Sequence, residues 1–173
     1  NLWAIFEREG LARHDGRAWS LDSSRNAFHQ RFSDTFLADG TPQFWVSEDH
    51  GFRSLVGDRW QEDPGNDSVR SGPLVRIEQS ETLFGQPRQW MGTGSDGLWY
   101  RTLADHGKTN PWQRFEQPGF ATLHTTDLLR THDGDAEELW VLTYGDGLIR
   151  IRNDGIRRWR AVRGELPTES IYS

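Results

Sequence analysis

The sequence predicts an all-β protein built from short antiparallel strands, and three features of its composition carry this prediction. Nine tryptophans and nine phenylalanines stand against a single methionine, and aromatic residues favour strands. Eighteen glycines and seven prolines place turn signals between short apolar stretches. Hydrophobic residues make up 34% of the chain, which is too few for most of it to be buried helix.

The totals also limit the classes of partner. The chain has 173 residues, enough for one domain with a substantial core. Its net charge of -6 argues against nucleic acid or an anionic membrane surface as the main partner, because both favour a basic face. Cysteine is absent, which removes disulfides, thiolate nucleophiles and cysteine-based zinc sites. No stretch approaches the roughly 20 apolar residues that a membrane-spanning helix needs.

One hairpin is clearest at LWVLTYGDGLIR, residues 139 to 150. Apolar residues alternate on both sides of Gly145-Asp146-Gly147, and glycine tolerates the positive φ that tight hairpin turns require. Asp133-Gly134 and Asn153-Asp154-Gly155 supply similar turns before and after it. The surrounding sequence therefore predicts four successive strands, over residues 127–132, 138–143, 147–152 and 156–162.

The same layout occurs four times along the chain, which is the strongest signal in the sequence. The first tryptophans of the copies recur every 42 to 50 residues: Trp3, Trp45, Trp90 and Trp140. A glycine and an apolar residue follow each of them, and then a second tryptophan: Trp19, Trp60, Trp112 and Trp159. The repeat units span about 1–31, 32–72, 73–124 and 125–169, and residues 170–173 start or close a further unit.

Four antiparallel strands within roughly 40 to 50 residues describe one blade of a β-propeller. A sheet this small cannot bury both of its faces alone, whereas blades stacked around an axis cover one another. We therefore expect the four first tryptophans to form the core between blades. The sequence predicts a single domain over residues 1–173, a β-propeller or partial propeller of about four blades, each of four antiparallel strands.

Two stretches carry a resemblance to a known family. Residues 139–172, LWVLTYGDGLIRIRNDGIRRWRAVRGELPTESIY, resemble the two-component regulator propeller repeat, whose pattern is roughly Leu-Trp-Val-Gly-Thr, a Gly-Gly-Leu turn, an Asp-Gly hairpin, Trp or Phe, and Gly-Leu-Pro. QWMGTGSDGLWYR, residues 89–101, is similar to the same core, including Gly92-Thr93. The first unit departs from the pattern at Ala4-Ile5-Phe6, and Leu166-Pro167 is the only Leu-Pro.

The resemblance implies an extracytoplasmic, periplasmic sensing module of a bacterial membrane signalling protein. Its output domain would be a histidine kinase or diguanylate cyclase across a membrane helix, outside this segment, and a homodimer would fit that arrangement. Such propellers usually have about seven blades. The chain is thus either a segment of a longer propeller, which we favour, or a four-bladed ring that residues 170–173 close onto the first unit.

Motifs for catalysis or metal binding are weak. No histidine pair has helical metal-ligand spacing, and THDGDAEE (131–138) lacks the residue order of a calcium loop. There is no Gly-x-Ser-x-Gly, and the glycines of GTGSDG (92–97) precede a predicted strand rather than the helix of a phosphate site. We therefore expect no catalytic residue, no metal and no cofactor in this segment.

A binding site is expected on one rim of the propeller, where the turns between second and third strands meet the connections between blades. These turns carry carboxylates and aromatic rings, which suit a sugar or oligosaccharide, although a cation, a peptide or a partner subunit fits equally. The candidate ligand-binding residues are Asp49, His50, Asp96, Trp99, Tyr144 and Asp146.

The leading hypothesis is a non-enzymatic ligand-sensing module. The second is a propeller glycosidase or lyase that uses rim carboxylates or His50, which requires two carboxyl groups within about 5 to 10 Å of each other. The third is a protein-interaction scaffold. A membrane helix and an output domain in the same reading frame would distinguish the sensor from the scaffold.

Overall fold

The computed structural model shows an all-β chain arranged as a partial propeller of four antiparallel sheets. It describes residues 2–6, 10–21, 32–36, 40–48, 51–56, 59–63, 69, 74–103 and 110–172. Within these ranges there are fifteen strands and two short 3-10 helices, at Leu83–Gly85 and Ala161–Arg163. None of the described helices is long and apolar enough to cross a membrane.

In every sheet, neighbouring strands follow the order of the chain, as expected for successive hairpins. The first sheet contains β1 (Leu2–Phe6), β2 (Gly10–His14) and β3 (Trp19–Leu21). The second contains β4 (Phe32–Phe36), β5 (Pro42–Glu48), β6 (Gly51–Val56) and β7 (Arg59–Glu62). The third contains β8 (Leu74–Ser80), β9 (Arg88–Thr93), β10 (Leu98–Thr102) and β11 (Gln113–Arg114). The fourth contains β12 (Thr125–Asp133), β13 (Ala136–Thr143), β14 (Leu148–Arg152) and β15 (Gly155–Trp159).

The first strands of three consecutive sheets lie side by side. Strand β8 contacts both β4 and β12, so these strands form the inner edge of the propeller segment. We refer to β4, β8 and β12 as the inner strands. In the second, third and fourth sheets the fourth strand lies at the opposite, outer edge.

Alternation along β9 buries its two faces in two different cores. Trp90 belongs to an apolar cluster shared with the fourth sheet, which includes Leu139 and Val141. Met91 belongs to a second cluster shared with Trp45 of the second sheet. Because successive side chains of a strand point to opposite faces, one strand joins both neighbouring sheets.

The indole groups of three first tryptophans also link two strands of their own sheets. Each N–H donates to a hydroxyl oxygen on the inner strand at 2.8 Å, in the pairs Trp45 with Thr35, Trp90 with Ser80 and Trp140 with Thr131. A buried indole N–H needs an acceptor, and a short hydroxyl side chain supplies it without disturbing the apolar packing. The repeat therefore encodes a hydrogen bond as well as a packing contact.

The prediction that all four first tryptophans are core is confirmed for two of them. Trp45 and Trp90 are completely buried. Trp140 is half-buried, because its face of the fourth sheet has no further described sheet packed on it, and it stacks instead on Trp159 at 5.4 Å. Trp3 is also half-buried, and its ring lies edge-on to Trp60 of the second sheet at 5.5 Å.

The second tryptophans do not all occupy one structural position, contrary to the alignment of the repeats. Trp159 pairs with Leu148, the residue that follows the turn glycine of the fourth sheet. In the third sheet the corresponding residue is Leu98, and Phe115 rather than Trp112 donates its backbone N–H to the Leu98 carbonyl, at 2.8 Å. The connection between the third and fourth strands is longer in the third sheet, over residues 103–112, than in the fourth, over residues 153–154, and this difference shifts the tryptophan.

The second and third sheets share a buried polar network. Arg101, of which 1% is exposed, donates to Asp63 Oδ2 at 2.8 Å and to Gln89 Oε1 at 2.9 Å. Its guanidinium also lies over the rings of Trp112 and Trp45, at 4.5 and 5.1 Å. Burial lowers the pKa of Arg101, and the ion pair with Asp63 opposes that shift. The interface between the second and third sheets therefore combines this polar network with the apolar cluster that contains Trp45 and Met91.

Residues 170–172, which follow the fourth repeat unit, bond to the fourth sheet. Ile171 donates its N–H to the Thr143 carbonyl at 2.9 Å, and Ser170 forms an isolated bridge with Tyr144. In the part of the chain that the structure describes, no strand of the fourth sheet pairs with the first sheet. The closed four-bladed ring is therefore not seen among these residues.

Replacing Trp90 by alanine should destabilise the fold much more than the same change at Trp140. Trp90→Ala removes a fully buried ring and its hydrogen bond, so we expect a loss of about 3–5 kcal/mol in the free energy of unfolding. Trp140→Ala removes a half-buried ring at the equivalent position and should cost clearly less. Urea unfolding of both variants measures the difference. Equal losses would contradict the assignment of Trp90 to an interface between sheets.

Candidate functional site

The turns between second and third strands have the same internal structure in the third and fourth sheets. The Thr93 hydroxyl donates to the Gly97 carbonyl and accepts the Asp96 N–H, both at 2.9 Å. The fourth sheet repeats these bonds with Thr143, Gly147 and Asp146, at 2.6 and 3.1 Å. Gly97 has φ +79°, and a Cβ there would lie 2.2 Å from the Phe120 carbonyl oxygen. Glycine is therefore required both for the backbone conformation and for the close approach of the next connection.

The carboxylates of these rim turns are engaged by arginines. Asp96 accepts a hydrogen bond from Arg114. Asp146 accepts one from Arg160 at 2.7 Å, and the Arg158 guanidinium lies 3.7 Å away. Neither carboxylate has a second carboxylate among its partners in the described ranges. Each of these two carboxylates is therefore neutralised by an arginine of its own sheet or of the segment that follows it.

The remaining rim candidates differ in accessibility. Asp49 and His50 lie outside the described residues. Trp99 is only 7% exposed, donates its indole N–H to the Asp96 carbonyl at 2.9 Å, and is covered by the Arg114 guanidinium at 5.0 Å. Tyr144 is 53% exposed. Of the candidates that the structure describes, Tyr144 alone offers an open aromatic ring.

Tyr144 belongs to a small exposed aromatic group. Its ring centre lies 5.4 Å from that of His124 and 6.1 Å from that of Tyr172. The structure thus brings Tyr144 together with two rings that sequence reasoning did not select. No hydrogen bond, ion pair or ring contact joins Tyr144 to Asp96 among the described side chains.

A second candidate site, a pocket of about 170 Å³, lies at the inner edge of the propeller segment. It is lined from the inner strands and the residue just after β8: Asp34, Thr35, Arg76, Glu78, Gln79, Glu81 and Arg130. We refer to it as the inner-strand pocket. It lies on strands, in contrast to the rim site, which lies on turns.

Three of the lining residues occupy one equivalent position. Asp34 pairs with Phe44, Gln79 with Gln89 and Arg130 with Leu139, and each partner immediately precedes the first tryptophan of its sheet. Neighbouring inner strands therefore present an acid, an amide and a base at the same level. The pocket carries opposite charges on its two outer walls.

Arg76 and Glu78 form an ion pair within β8. The Nε and Nη2 atoms of Arg76 lie 3.3 and 3.2 Å from Oε1 of Glu78, so both bonds use one carboxylate oxygen. Burial raises the pKa of Glu78, and the nearby Arg76 charge opposes this rise without cancelling it. A positive group in the pocket would favour the ionised form of Glu78.

Arg130 lies beside a carboxylate that is already fully engaged. Glu137 accepts the backbone N–H groups of Glu81, Thr82 and Leu83 at 2.7–3.1 Å, and the Thr82 hydroxyl at 3.0 Å. Burial opposes ionisation of Glu137, but these hydrogen bonds together outweigh it and lower its pKa. Arg130 Nη1 lies 3.7 Å from Glu137 Oε1 and 4.0 Å from Glu81 Oε1, beyond normal hydrogen-bond length.

Sequence reasoning missed the inner-strand pocket, although a signal for it exists. Asp34, Gln79 and Arg130 each precede a first tryptophan by 10 or 11 residues. Their common position becomes clear only from the pairing register of the first two strands. Among the described side chains, no group of three histidine, aspartate or glutamate residues is placed to hold a metal ion.

Comparison with known proteins does not assign the chain to a family. No protein-family model matches it, and a comparison with curated proteins finds no match. The class that the fold defines is thus an all-β partial propeller with a charged pocket at its inner edge. The resemblance to the two-component regulator propeller repeat stays a prediction.

Replacing Glu137 by glutamine should destabilise the chain at neutral pH by about 2–3 kcal/mol, because an amide cannot accept all four hydrogen bonds. The folded-state pKa of Glu137 lies below its ordinary value of 4.5. Its stabilisation is therefore complete above that value and is lost as the pH falls through the folded-state pKa. Urea unfolding at pH 7 and below pH 4.5 should show the wild type and variant converging in acid.

Glu116→Gln, at an exposed site, is the matched control and should leave stability unchanged at both pH values. If the wild type and Glu137→Gln differ equally at neutral and acid pH, the carboxylate does not stabilise this loop through its charge.

Proposed function

We propose that the chain is the ligand-binding module of a bacterial membrane signalling receptor, and that the ligand binds in the inner-strand pocket. The single observation that carries the proposal is this pocket of about 170 Å³, whose charged side chains come from three neighbouring sheets. In this proposal the chain is periplasmic and carries no catalytic residues. The kinase or cyclase output lies elsewhere in the parent protein.

Catalysis by the rim carboxylates is disfavoured by how those carboxylates are used. Asp96 and Asp146 are neutralised by arginines. A glycosidase that used them would need two carboxyl groups facing one reacting bond. Side chains of opposite charge around a small pocket instead suit recognition of a polar molecule.

The position of the pocket also suggests how binding would be transmitted. A ligand that touches Asp34, Glu78 and Arg130 contacts β4, β8 and β12 at once. Its binding free energy would favour the arrangement of sheets in which all three contacts are made. In a receptor, that shift would change the geometry of a dimer and thereby the output domain.

A panel of small polar metabolites and oligosaccharides, titrated calorimetrically into the chain, should contain at least one compound that binds with one-to-one stoichiometry. Arg130→Gln should weaken that binding at least tenfold, because the guanidinium lines the pocket. Arg163→Gln, which changes an exposed arginine away from the pocket, should not. Loss of binding in Tyr144→Ala but not in Arg130→Gln would move the site to the rim.

The complete reading frame that contains residues 1–173 tests the receptor part of the proposal. We expect it to encode a membrane-spanning helix and a histidine kinase or diguanylate cyclase domain. A reading frame with a hydrolase domain, or one without any membrane segment or output domain, would contradict the receptor assignment and favour the enzyme or the interaction scaffold.

A further inference from the structure

Two opposite charges of the inner-strand pocket, those of Asp34 and Arg130, stand on its two sides. Asp34 on β4 and Arg130 on β12 occupy equivalent positions on either side of β8, where the neutral Gln79 stands. With Glu78, Glu81 and Arg76, the lining has three carboxylates and two guanidinium groups. The lining is thus close to neutral overall: Arg76 pairs with Glu78, Glu81 lies 4.0 Å from Arg130, and Asp34 stands on the opposite side.

Arg130 forms the basic wall of the pocket, and its guanidinium has unused hydrogen-bond donors. The two acids nearest to Arg130 lie 3.7 and 4.0 Å away, and Glu137 already accepts four shorter bonds from other groups. The Arg130 side chain is 36% exposed. Its planar guanidinium therefore retains donors that match the two oxygens of a carboxylate.

Asp34 and Glu78 form the acidic wall of the pocket, and their carboxylates have unused hydrogen-bond acceptors. Asp34 is exposed and forms no ion pair with any described residue. In Glu78, both hydrogen bonds from Arg76 go to Oε1, which leaves Oε2 as an acceptor. An ammonium group, with three donors in a compact shape, satisfies two carboxylates of this kind at once.

The volume of the pocket and the balance of its charges limit the class of ligand further. At about 170 Å³ the pocket is smaller than the roughly 300–1,000 Å³ of sites for drug-sized ligands. A molecule with one charge would desolvate the opposite wall without pairing it, which costs free energy. A small molecule with both charges pairs both walls.

From this arrangement, which rests on the proposed binding function, we propose that the inner-strand pocket binds a small zwitterion of the α-amino acid type. The ligand carboxylate pairs with Arg130 on β12. The ligand ammonium lies toward Asp34 on β4 and Glu78 on β8. The molecule therefore bridges three sheets along the line that joins the opposite charges.

The test is calorimetric titration of the chain with the free amino acids at neutral pH. For the amino acid that binds best, two analogues follow, the amide that lacks the carboxylate and the acid that lacks the amino group. We expect each analogue to bind at least tenfold more weakly, because each leaves one charged wall unpaired.

Variants then assign each charge to its wall. Arg130→Gln should weaken binding of the amino acid at least tenfold but change binding of the amide little, since the amide has no carboxylate to lose. Asp34→Asn should weaken binding of the amino acid but not of the analogue that lacks the amino group. Arg163→Gln is the control and should bind like the wild type. Unchanged thermal unfolding verifies that each variant is folded.

Three results would overturn the proposal. If both analogues bind as well as the amino acid, the charges do not recognise a zwitterion. If no amino acid binds but an uncharged sugar does, and Arg130→Gln abolishes that binding, the zwitterion is wrong while the binding function stands. If no compound in either panel binds, both the zwitterion and the binding function fail.

Discussion

The structure depends on the first tryptophans of the second and third repeats, Trp45 and Trp90, each of which does two things with one side chain. Each ring packs between sheets, and each N–H donates at 2.8 Å to a hydroxyl on the inner strand, a bond that Trp140 repeats. The hydrogen bond fixes the ring relative to the inner strand, so the packing of one sheet on the next also sets where the inner strands lie. Because a four-stranded sheet is too small to bury both faces alone, this contact is what turns separate hairpins into one body.

Placing the inner strands side by side has a consequence for chemistry. Inner-edge residues at one level of neighbouring strands come together although they are 45 to 51 residues apart in sequence, as Asp34, Gln79 and Arg130 do. The repeat determines which positions of neighbouring inner strands lie side by side, but it does not determine the residue type at those positions. Function can therefore vary at these positions while the tryptophans and turn glycines stay under structural constraint. The rim turns are less free, since Asp96 and Asp146 are used to neutralise arginines.

The sequence was sufficient to predict the all-β class and the partial propeller of about four blades, because aromatic spacing and Asp-Gly turns are local signals. Three of the four sheets have the four strands expected, and the first has three among the described residues. The sequence was not sufficient to equate Trp112 with Trp159, because hairpin length varies and the tryptophan shifts with it. The pocket was missed for a related reason. Its residues come together only through the pairing register of several strands. The sequence of a single hairpin does not predict how neighbouring sheets align.

Hydrogen bonds also support the β4 side of the inner-strand pocket from behind. Thr35 lines the pocket, and its hydroxyl oxygen accepts hydrogen bonds from the Trp45 indole at 2.8 Å and from the Gln89 amide at 3.1 Å. Gln89 in turn accepts from the buried Arg101, which pairs with Asp63. Most polar atoms of this buried network are hydrogen-bonded, although Arg101 Nη2 has no partner, so a large shift would leave further buried groups unpaired. The wall next to Asp34 is therefore preorganised, and a ligand that binds there loses little free energy to ordering the protein.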